Sequence, residues 1–283
     1  MANMEKIKIV TDSTADLSED MIGELDIQVV PLSIFIEGET YLDRVDLSPE
    51  MFLEKMKASD ELPKSSQPSA GVFAELYDEL GKDGSKVISI HMTGGMSGTV
   101  RSAESAAEIT DTDVTVVDSR FISRGLGFQV IEAARLAREG KGVEEILKAI
   151  TEIREKTQLY VVVDTLENLV KGGRIGKGKA MIGSLLNIKP IASLAGGEYT
   201  PVAKVRSHTQ VVKFLVQQFM EDVKGKTIKG VGLCHADGLA LAQNLKSKIA
   251  EKTGYDQFDI GVTTPIISTH TGIGAIGFTY YTD

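Results

Sequence analysis

Along the first half of the chain, short apolar runs alternate with amphipathic stretches. Residues 7–11, 27–36, 87–91 and 114–118 are rich in branched apolar side chains and predict strands. Helix starts lie between them. Ser18 precedes Glu19, Ser48 precedes a proline at the first helical position, and Ser69 opens a run in which Val72, Phe73, Leu76 and Leu80 share one face. Residues 125–139 and 143–156 predict two more helices. Strands alternating with helices imply crossover connections and a mostly parallel sheet flanked by helices.

Beyond residue 157 the pattern changes. A strand is expected at 159–164, a short helix at 166–171, and a hairpin from 188–194 and 199–206 around Ala195-Gly196-Gly197-Glu198. Helices at 208–223 and 239–252 flank a strand at 228–235. Strands at 258–264 and 278–281, with a glycine-rich turn between them, end the chain. The expected fold is α/β with two domains: residues 1–157 as an N-terminal α/β domain, and 158–283 as a C-terminal mixed α+β domain. A length of 283 residues suits two domains.

Charge narrows the partners. Lys and Arg number 31 against 40 Asp and Glu, a formal net charge of -9. Nucleic-acid binders carry the opposite sign over their footprint, and anionic membranes repel such a surface on average. No apolar stretch approaches a membrane span. The first residues run straight into a strand pattern without a basic and apolar leader, and the single cysteine, Cys234, leaves no internal disulfide. These features place the expected protein in the cytoplasm, without nucleic-acid partners or stable membrane insertion.

Candidate chemistry collects at the predicted strand ends, where ligands of open α/β sheets sit. Thr11-Asp12-Ser13-Thr14, the 91–99 loop and Asp118-Ser119 are such ends, and Ser65-Ser66-Gln67-Pro68-Ser69 precedes a helix. Helix capping alone explains any one of them; their convergence points to a pocket. In the 93–99 loop, Thr93, Gly94, Gly95 and Gly98 offer donors to an anion at a helix start. Ser97 falls short of a nucleophile elbow because Thr99 stands where the second glycine belongs, and no acid–histidine pairing is apparent. Residues 173–179 have Walker-A spacing, but Ala180 replaces the metal-binding hydroxyl and a helix precedes the loop. Residues 272–277 read GxGxxG with no βαβ unit to follow. His91, His208, His235 and His270 show no metal-binding spacing. His91 and His235 read as structural tips of apolar strands, whereas His270 lies in a turn of hydroxyls and glycine. Arg174 and Arg206, with Lys171, Lys177, Lys179 and Lys204, form a local basic group that is either solvated surface or a docking patch.

Taken together, the chain resembles the DegV family from Lys6 to its C-terminus. The resemblance is carried by Ile9 to Leu17 (IVTDSTADL), Ser65 to Ser69 (SSQPS), Met96 to Thr99 (MSGT), Val117 to Ser119 (VDS), Lys171 to Ile175 (KGGRI), Leu186 to Ile191 (LNIKPI) and His270 to Gly274 (HTGIG). It implies a cleft between two domains that holds one long-chain fatty acid as ligand, with no cofactor and no metal. It also implies that Ser65, Ser97 and His270 bind the carboxyl group, with Ser66 as a substitute for Ser65, whose position usually carries threonine. Gly95 and Thr93 would complete the ligand site. The resemblance further implies a non-enzymatic role, presenting the acyl group to a separate ATP-dependent fatty acid kinase, with Arg174, Arg206 and His270 in docking or phosphoryl transfer. The competing expectation is an enzyme acting on a small acyl or phosphorylated substrate through Ser97 and His270. Met92, Met96, Phe121, Phe128 and Ile267 are candidates for the apolar wall, with core packing as the alternative for each.

Overall fold

The computed structural model describes residues 5–182 and 188–283. Three sheets organise them. The first is fully parallel, in the order β2 (Gln28–Val30), β1 (Ile7–Asp12), β6 (Lys86–His91), β7 (Val114–Asp118). Helices α3 (Ala70–Gly81) and α4 (Thr99–Ala107) cover one face, where Phe73, Tyr77, Ala103 and Ala106 meet Val10 and Val87. Helix α5 (Ser123–Arg138) covers the other, backed by α6 (Val143–Lys156).

The second sheet is mixed, in the order β10 (Thr200–Val205), β9 (Lys189–Ser193), β8 (Thr157–Val162), β13 (Ala275–Thr282), β11 (Ile228–Ala236), β12 (Ile260–Val262). Only β11 and β12 run parallel. Helices α8 (His208–Asp222) and α9 (Leu239–Thr253) bury Val211, Leu215, Phe219, Leu245 and Ile249 against its outer face. Its inner face meets α5, which therefore packs against both sheets. One core cluster runs through this junction, from Ile9, Ile90 and Leu126 to Leu159, Val161 and Ile266. Gly127 sits where α5 passes so near the loop after β1 that a Cβ would lie 2.7 Å from the Ala15 carbonyl oxygen.

A small antiparallel sheet, β4 (Glu39–Leu42), β3 (Ser33–Ile36), β5 (Lys64–Ser66), departs from expectation. Residues 27–36 form two strands in different sheets, not one. Pro31 has no N–H to continue the ladder, so the chain leaves the parallel sheet there. Helices α1 (Glu19–Glu24) and α2 (Pro49–Ala58) form as the capping signals predict, with Ser18 and Ser48 accepting from Met21 and Met51 amides, and the short helix expected at 166–171 forms as α7 (Glu167–Lys171) without a side-chain cap. The strand expected at 258–264 shortens to β12. After it comes a helix that the sequence pattern did not suggest, α10 (Pro265–Thr271), packed on α2, α7, β3 and β5. Of the motifs quoted above, Leu186 and Asn187 lie outside the described residues.

Candidate functional site

Between the parallel sheet and the mixed sheet lies a narrow slot with walls from both. Leu32, Ser65, Gln67, Met92, Met96, Ser97 and Ile122 line it from the first half of the chain. Val161, Leu169, Arg174, Leu194, Tyr199, Ile266, Ile267, His270 and Thr271 line it from the second half. Its free space is about 590 Å³, open solvent at its mouth included. Four wall residues, Ile122, Val161, Ile267 and Thr271, also line a deeper chamber of about 320 Å³ reaching Leu159 and Cys234. A mostly apolar lining that continues into a second chamber suits an apolar chain better than a compact polar substrate.

The polar groups of the slot belong to β5, the loop after β6, the segment after α7, and α10. Strand alternation puts Ser65 on the inner face of β5 and leaves Ser66 exposed on the outer one. Ser65 Oγ shares a 2.7 Å hydrogen bond with His270 Nε2. Helix α10 presents His270 from its last turn, begun by Thr264 as cap and Pro265 as first residue. What the sequence presented as a turn is thus a helix end. Burial pushes the His270 pKa down to about 4, and the nearby Arg174 guanidinium adds to the effect, so the imidazole is neutral at pH 7. Its Nδ1 is buried with no partner. Arg174 is held by the carbonyls of Met96 (3.1 Å) and Gly172 (2.6 Å), which fixes its stem across the slot's wall. Ser97 Oγ accepts from the Thr99 amide and pairs with Thr99 Oγ1 at 2.8 Å. Its hydroxyl has no histidine partner, so it is not arranged as a nucleophile.

Thus Ser65, Ser97, His270 and Arg174 all line the slot, with Ser65 and His270 in direct contact. The structure places the remaining expected residues elsewhere. Thr93 Oγ1 donates to the Gly197 carbonyl (2.8 Å) and accepts from the Gly95 amide (3.2 Å), so both residues tie the loop after β6 to the hairpin turn of the mixed sheet. The Gly94 amide is taken by Asp118 Oδ2. Arg206 is exposed at the end of β10 and does not line the slot. Among the apolar candidates, Met92, Met96 and Ile267 line the slot; Phe121 is buried beside Gly125, and Phe128 packs on Tyr281.

An acid–histidine pair also exists where none was apparent. Tyr77 Oη donates to Ser89 Oγ (2.7 Å), which pairs with His91 Nε2 (2.6 Å); His91 Nδ1 lies 3.1 Å from Asp12 Oδ2. Asp12 also accepts from the amides of Met92 and Thr14 and from Thr14 Oγ1. Burial works to raise the Asp12 pKa, but the His91 and Thr14 donors outweigh it and hold the carboxyl below its usual range. Ser89, His91 and Asp12 are fully buried and line neither the slot nor the chamber. The set braces the parallel sheet and offers no reactive hydroxyl to a substrate.

No group of three or more His, Cys, Asp or Glu is placed to hold a metal ion among the described residues, and no described helix is long and apolar enough to cross a membrane. The segment with Walker-A spacing folds into a short 3-10 turn, Gly176–Met181, after α7. Residues 272–277 run from the end of α10 into β13.

Comparison with known proteins agrees with this geometry. A sequence model described as "Uncharacterised protein, DegV family" matches residues 6–283. A DegV domain-containing protein of Staphylococcus aureus is 44% identical over 274 residues, covering 97% of this chain and 98% of that protein. A DegV family protein from Thermus thermophilus, described by its fatty acid binding, superposes with a TM-score of 0.92 at 32% identity, covering 98% of this chain and 100% of that one. DegV of Bacillus subtilis, described as a fatty acid binding protein, gives 0.91 at 33% identity, covering 99% and 100%. With its fold, its motifs and nearly its whole length matched, the chain belongs to the DegV family.

Proposed function

We propose that the protein binds one long-chain fatty acid in the slot between two units, residues 1–157 and 158–283. The observation that carries this reading is the slot itself: an apolar channel continued by a deeper chamber, with Ser65, Ser97, His270 and Arg174 in its wall. Each methylene buried gains about 0.8 kcal/mol, so a long acyl chain supplies on the order of 10 kcal/mol before binding losses. The carboxyl group then needs orientation only. Neutral hydroxyls and one guanidinium supply it, even in a protein of net charge -9. The fatty acids bound by the Thermus and Bacillus relatives support the same ligand class.

We read the protein as a cytoplasmic carrier that hands its acyl group to an ATP-dependent fatty acid kinase. In support, neither glycine-rich segment forms a phosphate cradle, and Ser97 lacks a base. Arg174 and His270 line both the slot and an outer cleft with Lys64 and Lys171, where a partner can reach the carboxyl end. Arg206 belongs to the docking surface in this reading.

Organic extraction and mass spectrometry test the ligand. A fatty acid should be released, and the stripped protein should reload. A clean extract from protein that also refuses loading overturns the proposal. Ser97→Ala should weaken binding by roughly 2- to 10-fold, the loss of one hydrogen bond of about 0.5–1.5 kcal/mol. The loaded chain should form acyl phosphate from ATP only when a fatty acid kinase is added; turnover by the chain alone contradicts the carrier role.

A further inference from the structure

Two buried polar atoms in residues of the slot's wall have no hydrogen-bond partner: His270 Nδ1 and Tyr199 Oη. The first belongs to the carboxyl-binding group. The second has no part in the reading above. Tyr199 is 1% exposed and sits in the core cluster with Leu169, Ile175, Met181 and Leu194. Its ring is fixed from one side, because a Cβ at Gly178 would stand 3.1 Å from Cδ1 and Cε1. Its carbonyl is held by the Lys177 amide at 3.1 Å. Burial raises the phenol's pKa, so the hydroxyl keeps its proton and remains a donor. Phenylalanine would fill the same space without stranding that donor, and a stranded buried hydroxyl is costly. A satisfied core tyrosine has a partner; this one lines the slot and its hydroxyl has none.

Resting on the fatty-acid reading, we infer that Tyr199 is a specificity-determining residue whose hydroxyl donates to an oxygen carried partway along the acyl chain. The slot therefore favours an oxygenated fatty acid, such as a hydroxy acid, over a plain saturated one. The argument is one of position and supply. In the fatty-acid reading the carboxyl oxygens are served by Ser65, Ser97, His270 and Arg174, whereas Tyr199 lines the slot from the core cluster that it shares with Leu169, Ile175, Met181 and Leu194. A methylene against Oη leaves the donor as stranded as before. An acceptor oxygen there completes it, and the unfavourable burial of the ligand's own oxygen is relieved at the same time.

The test compares stearic acid with a series of hydroxystearic acids that differ in hydroxyl position, on stripped wild-type protein and on Tyr199→Phe. The wild type should bind at least one positional isomer roughly 2- to 10-fold tighter, relative to stearic acid, than the variant does. Stearic acid itself should bind both proteins alike. The empty variant should melt no lower than the wild type, because it loses no contact and sheds a desolvated hydroxyl. If no isomer gains over stearic acid, or if Tyr199→Phe weakens all acids equally, the inference fails; the latter result places the phenol on the carboxyl group. If the wild type binds neither stearic acid nor any isomer, the fatty-acid reading itself has failed.

Discussion

His270 makes the empty protein sensitive to acid over a defined window. Buried against Arg174, its imidazole has a pKa of about 4 in the fold, against an ordinary 6.5 in the unfolded chain. Between those two values the unfolded state binds more protons, so stability rises with pH across the window. The contribution is fully present above pH 6.5 and is lost as pH falls toward 4. At about 1.4 kcal/mol per pH unit, the interval between 6.5 and about 4 amounts to about 3 kcal/mol. Denaturant midpoints of the stripped protein and of His270→Gln, measured from pH 4 to 7.5, isolate it, since the other titrating groups are common to both. The wild type should lose stability faster on acidification, with the difference becoming constant above pH 6.5. A bound carboxylate beside the ring favours its charged form, so the same comparison on loaded protein should show a smaller acid loss. A difference curve that is flat between pH 4 and 6.5 would refute the burial argument.

Three further outcomes follow from contacts at and around the slot. Gly172→Ala should weaken fatty acid binding, because the added methyl would run into His270 Nδ1 and stand 2.8 Å from the Asn168 carbonyl oxygen; unchanged affinity by ligand displacement would show that His270 can move freely. Ser89→Ala strands Tyr77 Oη and His91 Nε2 in the core, with an expected stability loss of about 1–3 kcal/mol in urea titration; extraction should still release the fatty acid, and loss of binding at full stability would give that hydrogen-bond set a role in the site. Asp16→Ala should cost about 2–4 kcal/mol and reduce ligand affinity as well, as measured by melting and by reloading; a variant that melts normally contradicts the fastening role described below.

The alternation of strands and helices was legible because branched apolar runs and capping serines recur at regular intervals. Where the reading failed, tertiary context had overruled local pattern. Residues 265–271 contain Ile266, Ile267, Thr269 and Thr271, a β-branched sequence, yet they form α10 because burial against α2, α7 and β5 outweighs propensity. The Thr264-Pro265 cap was the available signal. Strand β4 escaped because its residues are mostly exposed and show no apolar alternation. In the site, hydroxyl-rich motifs marked Ser65 and Ser97, but composition could not say that Ser66 faces outward or that Thr93 is spent on Gly197; those facts depend on register and on a contact 104 residues away. Tyr199 carried no signal at all, since an unpartnered hydroxyl is a property of packing.

What makes the slot a single site is a buried carboxylate that belongs to neither wall. Asp16 lies in the turn after β1 and accepts from Ser123 Oγ, from Thr263 Oγ1 at 2.9 Å and from the Thr264 amide at 3.0 Å. Burial raises its pKa, while these donors and the nearby Arg124 guanidinium oppose the rise. Ser123 begins α5, directly after the slot residue Ile122; Thr264 caps α10, which carries His270 in its last turn. One acid therefore fixes the starts of two helices, one from each half of the chain: α5, which begins beside the slot residue Ile122, and α10, which carries Ile266, Ile267, His270 and Thr271 into the lining. Removing it leaves three buried donors without an acceptor. It also frees α10 to shift relative to α5, and that shift would separate His270 from Ser65. Stability and ligand affinity should then fall together, in contrast to the outcome expected for Ser89→Ala, whose network braces the parallel sheet with side chains that line neither the slot nor the chamber.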